Sequence, residues 1–344
     1  FTLSMCGTFL VRSGILNSVH TFANDPGRGL FILVFLFSLI IISLFVFFFF
    51  HKSTQNELNN FSWLSKETSI IINNWFMMYF LSVVLIGTVY PIFLDVLSSE
   101  KISVGPPFYH KLIAPFLIPF LLAMAIGPKL KWVKSNLEDK FSLLMLLIIS
   151  VLISFFILKI FDANFLINTI LISSATYLFF ITFRDFFIKK FNNISQNIAH
   201  FGFSLLILSI LFNSIFSSEI ITNLKVGETF EDLNTKIILK NIEQKEEKNF
   251  KSIVANFNIE NSKGIIENLS PELRIYNQPN IVTSEADIKT TMMSDKFIVI
   301  NVVQNQDYFN VRYQVKPFML WIWLSVLLIS FGGLLSLFKK NYEQ

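Results

Sequence analysis

The chain of 344 residues is 53% hydrophobic and has a mean hydropathy of +0.58, which is too apolar for a soluble globular protein of this size. Its net charge of +4 is small, and the basic residues lie in short loops between apolar runs, a pattern that favours membrane orientation over nucleic-acid binding. The single cysteine, Cys6, excludes an internal disulfide framework and a cysteine-rich zinc site.

Apolar runs of membrane-spanning length recur along the chain. A span needs roughly 20 mostly apolar residues, and the windows that meet this condition are 30–50, 73–95, 112–127, 141–159, 165–182, 197–216 and 318–338. The window 112–127 contains Pro115 and Pro119, which predicts a span that is either kinked or packed against neighbouring helices. The first residue is Phe1 rather than Met, and FTLSMCGTFL is typical of the tail of an eighth span. We therefore expect a fragment whose beginning is missing.

Residues 217–317 differ from the spans on both sides, because charged and Asn residues become frequent there. The short runs in this segment are typical of β-strands, and NSKG and NQPN are turn signals between them. The runs are TKIILKNI, SIVANFNIE, ELRIYN, KFIVINVV and NVRYQV. The expected fold class is a polytopic α-helical membrane protein of about seven spans plus the tail of an eighth, with a small external β-rich domain inserted before the last span. The expected organisation is 1–29 (end of a span plus an external loop), 30–216 (six-span bundle), 217–317 (β-rich domain) and 318–344 (final span and tail).

The distribution of basic residues in the short loops predicts the orientation of the chain. The richer set of loops contains Lys52, Lys66, Lys129, Lys131, Lys134, Lys140, Arg184, Lys189, Lys190, Lys339 and Lys340. The opposite set contains Arg12, Arg28, Lys101 and Lys111. We therefore expect the first set on the cytoplasmic (or mitochondrial matrix) side and residues 217–317 on the outside.

The histidines are the candidate functional residues, because no nucleophile elbow, Walker loop, dinucleotide fingerprint or HExxH zinc motif occurs. His200 lies within the span 197–216, where an ionisable side chain is by default a functional hypothesis. A neutral imidazole is a common ligand of haem iron, and Gly202 is expected to leave room on the helix surface nearby. The alternative, an interfacial histidine that hydrogen-bonds a neighbouring helix, stays open.

His20 lies in the expected external loop, between Arg12 and Arg28. Composition alone favours an ordinary loop histidine, but an imidazole beside the membrane could ligate a haem presented from outside. The two arginines are close enough in sequence to meet its propionates, but they could equally be interfacial anchors or support the loop. The expected topology places His20 outside and His200 toward the inside, so the two cannot bind opposite faces of one iron. His51 is interpreted as a boundary residue and His110 as a loop residue after the rigid GPP turn.

Several ordered motifs along the chain resemble one family. They are GTFLVRSGILNSVHTFANDPGRG, LSKETSIIINNWFMMYFLSVVLIGTVYPIFLDVLSSEKISVGPPFY, IAHFGFSLLIL and VKPFMLWIWLSVLLISFGGLLSLF. In type, order and spacing they resemble the CcmF family of cytochrome c maturation (haem lyase) proteins. The resemblance is weakest over 130–190 and in the middle of 217–317.

The resemblance implies a membrane subunit that takes haem from a haem chaperone (CcmE-like) and assists its thioether attachment to CxxCH of apocytochrome c, presented by a CcmH-like subunit. It implies that His20 is an axial ligand of the external haem and that His200 is an axial ligand of a resident intramembrane haem b. It further implies that this resident haem reduces the incoming one, with quinol as a candidate electron source. The tryptophan-rich loop and the partner ligands of both sites are expected upstream of Phe1, so the fragment alone is expected to be inactive.

Other functional classes remain open at this point. The alternatives are a membrane transporter, of haem among other substrates, a scaffold that recruits partners through residues 217–317, and a paralogous lyase for nitrite-reductase cytochromes. The expected location is the bacterial inner membrane with the β-rich domain in the periplasm, and the mitochondrial inner membrane is the alternative.

Overall fold

The computed structural model describes residues 2–12, 26–50, 61–98, 102, 104–137, 139–160, 165–188, 194–232, 235–261, 264–278, 280–302 and 307–338. These residues form two compact units, 1–138 and 139–344. Seven of the helices are long and apolar enough to cross a membrane. The predicted fold class, a polytopic helical protein with a β-rich domain before its last span, is therefore confirmed.

The first unit consists of helices. They are α1 (Thr2–Arg12), α2 (Pro26–Phe50), α3 (Lys66–Ser98) and α4 (Pro106–Ile126), followed by a short 3₁₀ turn at Gly127–Lys129. Helix α4 continues through Pro115 and Pro119. The Tyr79 hydroxyl of α3 donates a hydrogen bond to the Leu112 carbonyl at 3.0 Å, in the turn before Pro115. This bond joins α3 to α4 beside Lys111, whose carbonyl is the one that Pro115 cannot bond.

The second unit contains the remaining spans and the β-rich domain. Its helices are α5 (Lys140–Ile160), α6 (Phe165–Ile188), α7 (Ile194–Phe216) and α8 (Met319–Leu337). Residues 171–178 of α6 are all buried. Eight consecutive residues cover every side of a helix, since it turns once in 3.6 residues, so α6 is enclosed over two turns.

The β-rich domain is built from two antiparallel sheets. The four-stranded sheet has the order β1-β10-β9-β8, and the six-stranded sheet has β2-β3-β4-β6-β7, with β5 paired to β4. The strands are β1 (Ser218–Leu224), β2 (Thr229–Asp232), β3 (Thr235–Glu246), β4 (Phe250–Asn261), β5 (Ile266–Leu269), β6 (Glu272–Asn277), β7 (Asn280–Glu285), β8 (Asp287–Thr290), β9 (Ser294–Val302) and β10 (Phe309–Pro317).

Alternate residues of both sheets form one hydrophobic core. The four-stranded sheet contributes Leu224, Ile298, Ile300, Val311 and Tyr313, and the other contributes Ile237, Leu239, Ala255, Phe257, Ile259, Leu269 and Leu273. Residues two apart on a strand point to the same face of the sheet, which is why Ile298 and Ile300, or Val311 and Tyr313, enter the core together. The domain is therefore a β-sandwich.

The five runs read from the sequence correspond to β3, β4, β6, β9 and β10. The NQPN turn is also where the sequence indicates it, because Asn277 ends β6 and pairs with Asn280 at the start of β7. Five further strands, β1, β2, β5, β7 and β8, were not identified. Three of them have only four residues, too few for alternation to stand out.

Candidate functional site

Helix α7 carries His200, the candidate haem ligand within the membrane spans. His200 is the seventh residue of α7 and is half-buried, which places it about 9 Å along the helix from its start. Ile194–Phe216 is a membrane-length helix. The imidazole therefore lies within a span, beyond its first turn, where a polar side chain needs a partner or a function.

One side of α7 is occupied by α8. A Cβ atom added at Gly202 would lie 3.0 Å from the Leu328 Cβ and from the Ile329 backbone nitrogen, and one added at Gly332 would lie 2.7 Å from the Ala199 nitrogen. The two backbones are this close because both positions lack a side chain. The expectation that Gly202 leaves room for a ligand was wrong, because that space holds the backbone of α8.

His200 lies on a different side of α7 from this contact. Residues two apart on a helix are separated by about 200°, so His200 is turned away from the Gly202 side. One turn further on, Ser204 bonds Thr182 of α6 at 3.0 Å. The ring of Phe201 packs on Phe179 of α6 with 5.3 Å between centroids. His200 is thus at the edge of the α6-facing side.

The residues that share the His200 side are suited to a large apolar group. Phe203 and Ile207 follow His200 by three and seven positions, so they lie on the same side of the helix, and both are half-buried, while Gln196, one turn earlier, is exposed. The His200 imidazole would be the group that holds a haem iron, and the aromatic and aliphatic side chains beside it would offer the haem an apolar surface. The chemistry of this donor set fits a haem.

The other predicted residues have different settings. Arg12 is the last residue of α1 and is half-buried, and Arg28 is exposed in the first turn of α2. His20 and His51 lie outside the described residues. His110 is exposed in α4, so its interpretation as a loop residue was wrong. The reason is that two prolines can occupy the first turn of a helix, where their missing N–H groups are not needed.

Buried polar side chains on α6 were overlooked. Asp185 is only 8% exposed. The guanidinium of Arg184, its neighbour, pairs with the carboxylate of Asp139 at 2.9 Å. The signal was the dipeptide RD within an apolar run, because charged residues in a span are rare unless paired or functional. Across the described ranges, no group of three or more His, Cys, Asp and Glu side chains could hold a metal ion, although an axial haem site needs no such cluster.

These features define a class: a polytopic membrane protein in which a span that carries a histidine leads directly into a β-sandwich, and the β-sandwich leads into a further span. Residues 215–317 match a family model described as the CcmF C-terminal beta-sandwich. The chain is 30% identical over 358 residues to the cytochrome c-type biogenesis protein CcmF of Pseudomonas aeruginosa, covering 100% of this chain and 54% of that protein. The CcmF protein of Escherichia coli is 29% identical over 353 residues, with the same coverages.

A solved structure titled Cytochrome c Heme Lyase CcmF has the same fold. It matches with a TM-score of 0.68 and 18% identity, covering 97% of this chain and 54% of that one. This chain therefore belongs to the CcmF family of cytochrome c-type biogenesis proteins, as the sequence motifs indicated. It spans about half the length of the curated relatives it matches.

Proposed function

We propose that this chain is part of a haem lyase that matures c-type cytochromes. The lyase takes haem from a CcmE-like chaperone and assists formation of thioether bonds to the CxxCH cysteines of apocytochrome c, which a CcmH-like subunit presents. Support comes from the matches to CcmF along the whole chain and from a membrane helix whose histidine has the donor chemistry of a haem ligand.

The observation that carries the proposal is the position of His200. Its side of α7 is not the side closed by α8 at Gly202, and it continues along the helix with Phe203 and Ile207. We propose that His200 is one axial ligand of a resident haem b, whose chemistry when bound is one-electron transfer. The protein holds the imidazole within the bilayer, and the apolar neighbours exclude water from it.

We propose a second, external haem position at His20, where the incoming haem is the substrate. Arg12 and Arg28 are the proposed propionate contacts, supported by their positions on either side of His20 in the sequence and by the chemistry of guanidinium–carboxylate pairing. The second ligand of each haem is proposed to come from outside this chain. Holding the haem edge beside the cysteine thiols would make the reaction effectively unimolecular.

The proposed location is the bacterial inner membrane, with the β-sandwich in the periplasm as a docking surface for the chaperone or the apocytochrome subunit. The loops expected on the other side of the membrane contain more basic residues, and loops rich in basic residues usually face the cytoplasm. The test is labelling of single cysteines by a membrane-impermeant maleimide in intact cells, in a Cys6→Ser background. Lys248→Cys in the sandwich should react and Lys134→Cys should not; both positions are exposed. Reaction at Lys134 alone would overturn the orientation.

The decisive test of the resident haem is an optical spectrum of the purified protein that contains this chain together with its upstream partner ligands. A reduced b-type spectrum is expected, and it should be lost or shifted in His200→Ala. The matched control is His110→Ala, at an exposed histidine of another helix, which should keep the spectrum. An unchanged spectrum in His200→Ala would contradict the assignment.

The external position has a separate readout. His20→Ala should lower cytochrome c maturation while the resident b-type spectrum persists, and added imidazole should partly restore maturation. Normal maturation in this variant would remove His20 from the site. Well-folded protein without any haem would contradict the lyase proposal and favour a transporter or a scaffold.

A further inference from the structure

The strand register shows which edge of the β-sandwich meets the membrane. Helix α7 ends at Phe216 and β1 begins at Ser218, while β10 ends at Pro317 and α8 begins at Met319. Pro317 is paired with Ser294, the first residue of β9. The start of β9 therefore lies at the same edge as the two chain connections to the spans, and its other end points away from them.

The turn between β8 and β9 projects from this edge and is fixed to the last span. The indole N–H of Trp321, in the first turn of α8, donates to the Met292 carbonyl at 2.9 Å. The Phe318 N–H donates to the Met293 carbonyl at 2.8 Å. Within the turn, the Thr291 hydroxyl donates to the Ser294 carbonyl at 2.7 Å. The turn is thus held against the point where α8 enters the membrane.

The two central side chains of this turn are apolar and exposed. Met292 is 75% exposed and Met293 is 67% exposed, and the stretch 290–294 contains no charged residue. Contact of two adjacent methionine side chains with water, beside the first turn of a membrane helix, would be unfavourable. The first turns of α8 also expose Trp323, and tryptophan is enriched at the boundary between lipid and water.

We propose that Met292 and Met293 insert into the lipid beside α8, so that the turn Thr291–Ser294 is a membrane foot of the β-sandwich. The occupant is lipid at the boundary between headgroups and acyl chains, because the turn is bonded to a helix that itself enters lipid at that level. Unbranched methionine adapts to such an irregular environment. The proposal does not depend on haem binding or on which side of the membrane the sandwich occupies.

The foot has a mechanical consequence for the sandwich. In the sheet order β1-β10-β9-β8, the two chain connections are at β1 and β10, whereas the foot joins β9 and β8, roughly 5 to 10 Å further along the same edge. A third attachment displaced from the other two restricts rocking of the domain on the bilayer. The foot would then hold the sandwich at a fixed tilt above the membrane.

The test uses nitroxide labels at single cysteines in the complete protein, reconstituted in nanodiscs of phosphatidylethanolamine and phosphatidylglycerol. In a Cys6→Ser background, Met292→Cys and Met293→Cys are compared with Val302→Cys. Val302 is also exposed, at 53%, and ends the same strand β9, roughly 26 Å from its membrane end. Accessibility of each label to oxygen and to a water-soluble nickel chelate is measured.

Labels at Met292 and Met293 are expected to be more accessible to oxygen and several-fold less accessible to the chelate than the label at Val302. Equal chelate accessibility at all three positions would overturn the proposal. Exclusion of both reagents from the two methionine positions would also overturn it, because it would indicate a protein partner instead of lipid. The spectral line shape of the Val302 label checks that the sandwich is folded in each preparation.

Discussion

The core of the β-sandwich and the packed helices α7 and α8 bury different kinds of residue. Fully buried positions in the sandwich are large and apolar, such as Phe257, Ile298 and Val311. The buried residues of α7 are Asn197, Gly202, Ser204 and Ser209, and those of α8 are Ser325 and Gly332. Many large apolar side chains of the helices are exposed, as in the run Phe47–Phe50 at the end of α2, although the enclosed helix α6 buries Ile172 and Leu178.

The surrounding solvent, water for the sandwich and lipid for the helices, explains this difference in buried residues. The sandwich is stabilised in water by removing apolar area from it, so its core is made of apolar side chains, most of them large. Lipid tails are as apolar as leucine, so helices in a bilayer gain nothing by hiding apolar groups from it. Close backbone contact and hydrogen bonds between helices remain as stabilising interactions, and small residues allow both.

The largest expected difference between the two regions is for deletion of a phenyl ring. Phe257 in β4 is 1% exposed, whereas Phe156 in α5 is 59% exposed. Phe257→Ala should lower the free energy of unfolding of the sandwich by about 3–5 kcal/mol, because it leaves a cavity. Phe156→Ala should cost far less, because lipid replaces the ring. Thermal unfolding of the solubilised protein, with hydrogen exchange on β3 and β4, measures the stability of both variants. Similar losses of stability in the two variants would contradict the difference between a water-facing core and a lipid-facing ring.

The second comparison concerns a single glycine of α8. A Cβ at Gly332 would lie 2.9 Å from the Ser195 carbonyl oxygen, whereas a Cβ at Gly333 would have nothing within 4 Å. Gly332→Leu should separate α7 from α8 and destabilise the protein by roughly 1–3 kcal/mol, the usual cost of overpacking. Gly333→Leu, with the same added volume one residue away, is the matched control and should be tolerated. Faster hydrogen exchange in α7 is the measurement, and equal exchange in both variants would refute close packing at Gly332.

A smaller effect is expected from the hydrogen bond between α6 and α7. The hydroxyl groups of Thr182 and Ser204 are 3.0 Å apart, and both residues are buried. A double-mutant cycle with Thr182→Val and Ser204→Ala should give a coupling energy of about 0.6 kcal/mol, because each hydroxyl can also bond its own helix. Ser38→Ala, at a hydroxyl that bonds the Val34 carbonyl of the same helix, should be additive when it is combined with either variant. Zero coupling between Thr182 and Ser204 would show that the contact adds no stability.

The sequence was sufficient where a pattern is local. Each span is a continuous apolar run, and four of the five identified strands have nine residues or more, enough to show alternation. Length is not the whole reason, because β1 was missed although it is longer than β6. Contacts between distant segments were not predictable in the same way. Gly202 appeared open because its neighbour, Ile329, is more than a hundred residues away in the chain. His110 was misplaced because the PP pair that begins α4 is also typical of a turn.

The candidate site divides along the same line. His200 was identified because a histidine inside an apolar run is unusual in any context. Which side of α7 is closed by a neighbouring helix could not be predicted, because α8, which packs against Gly202, is distant in the sequence. Asp185 was missed because its burial depends on the packing of α6 and not on its immediate neighbours.

The smallest expected effect concerns a charge at the junction of the two regions. Glu219 in β1 accepts hydrogen bonds from the side chains of Gln314, at 2.7 Å, and of Arg312, and these two contacts hold its pKa below the usual value. A carboxyl group with a lowered pKa in the folded state adds stability above its ordinary pKa and loses it as the pH falls through the lowered value. The ion pair of Glu219 and Arg312 is exposed, so screening by solvent keeps its contribution to stability small.

In the wild type, the thermal midpoint of the sandwich should fall slightly more on acidification than in Glu219→Gln. The control Glu231→Gln, at an exposed glutamate of β2, should follow the wild type. An identical acid response in all three proteins would show that the water-facing charges at the junction, unlike the buried rings of the core, contribute nothing measurable to the fold.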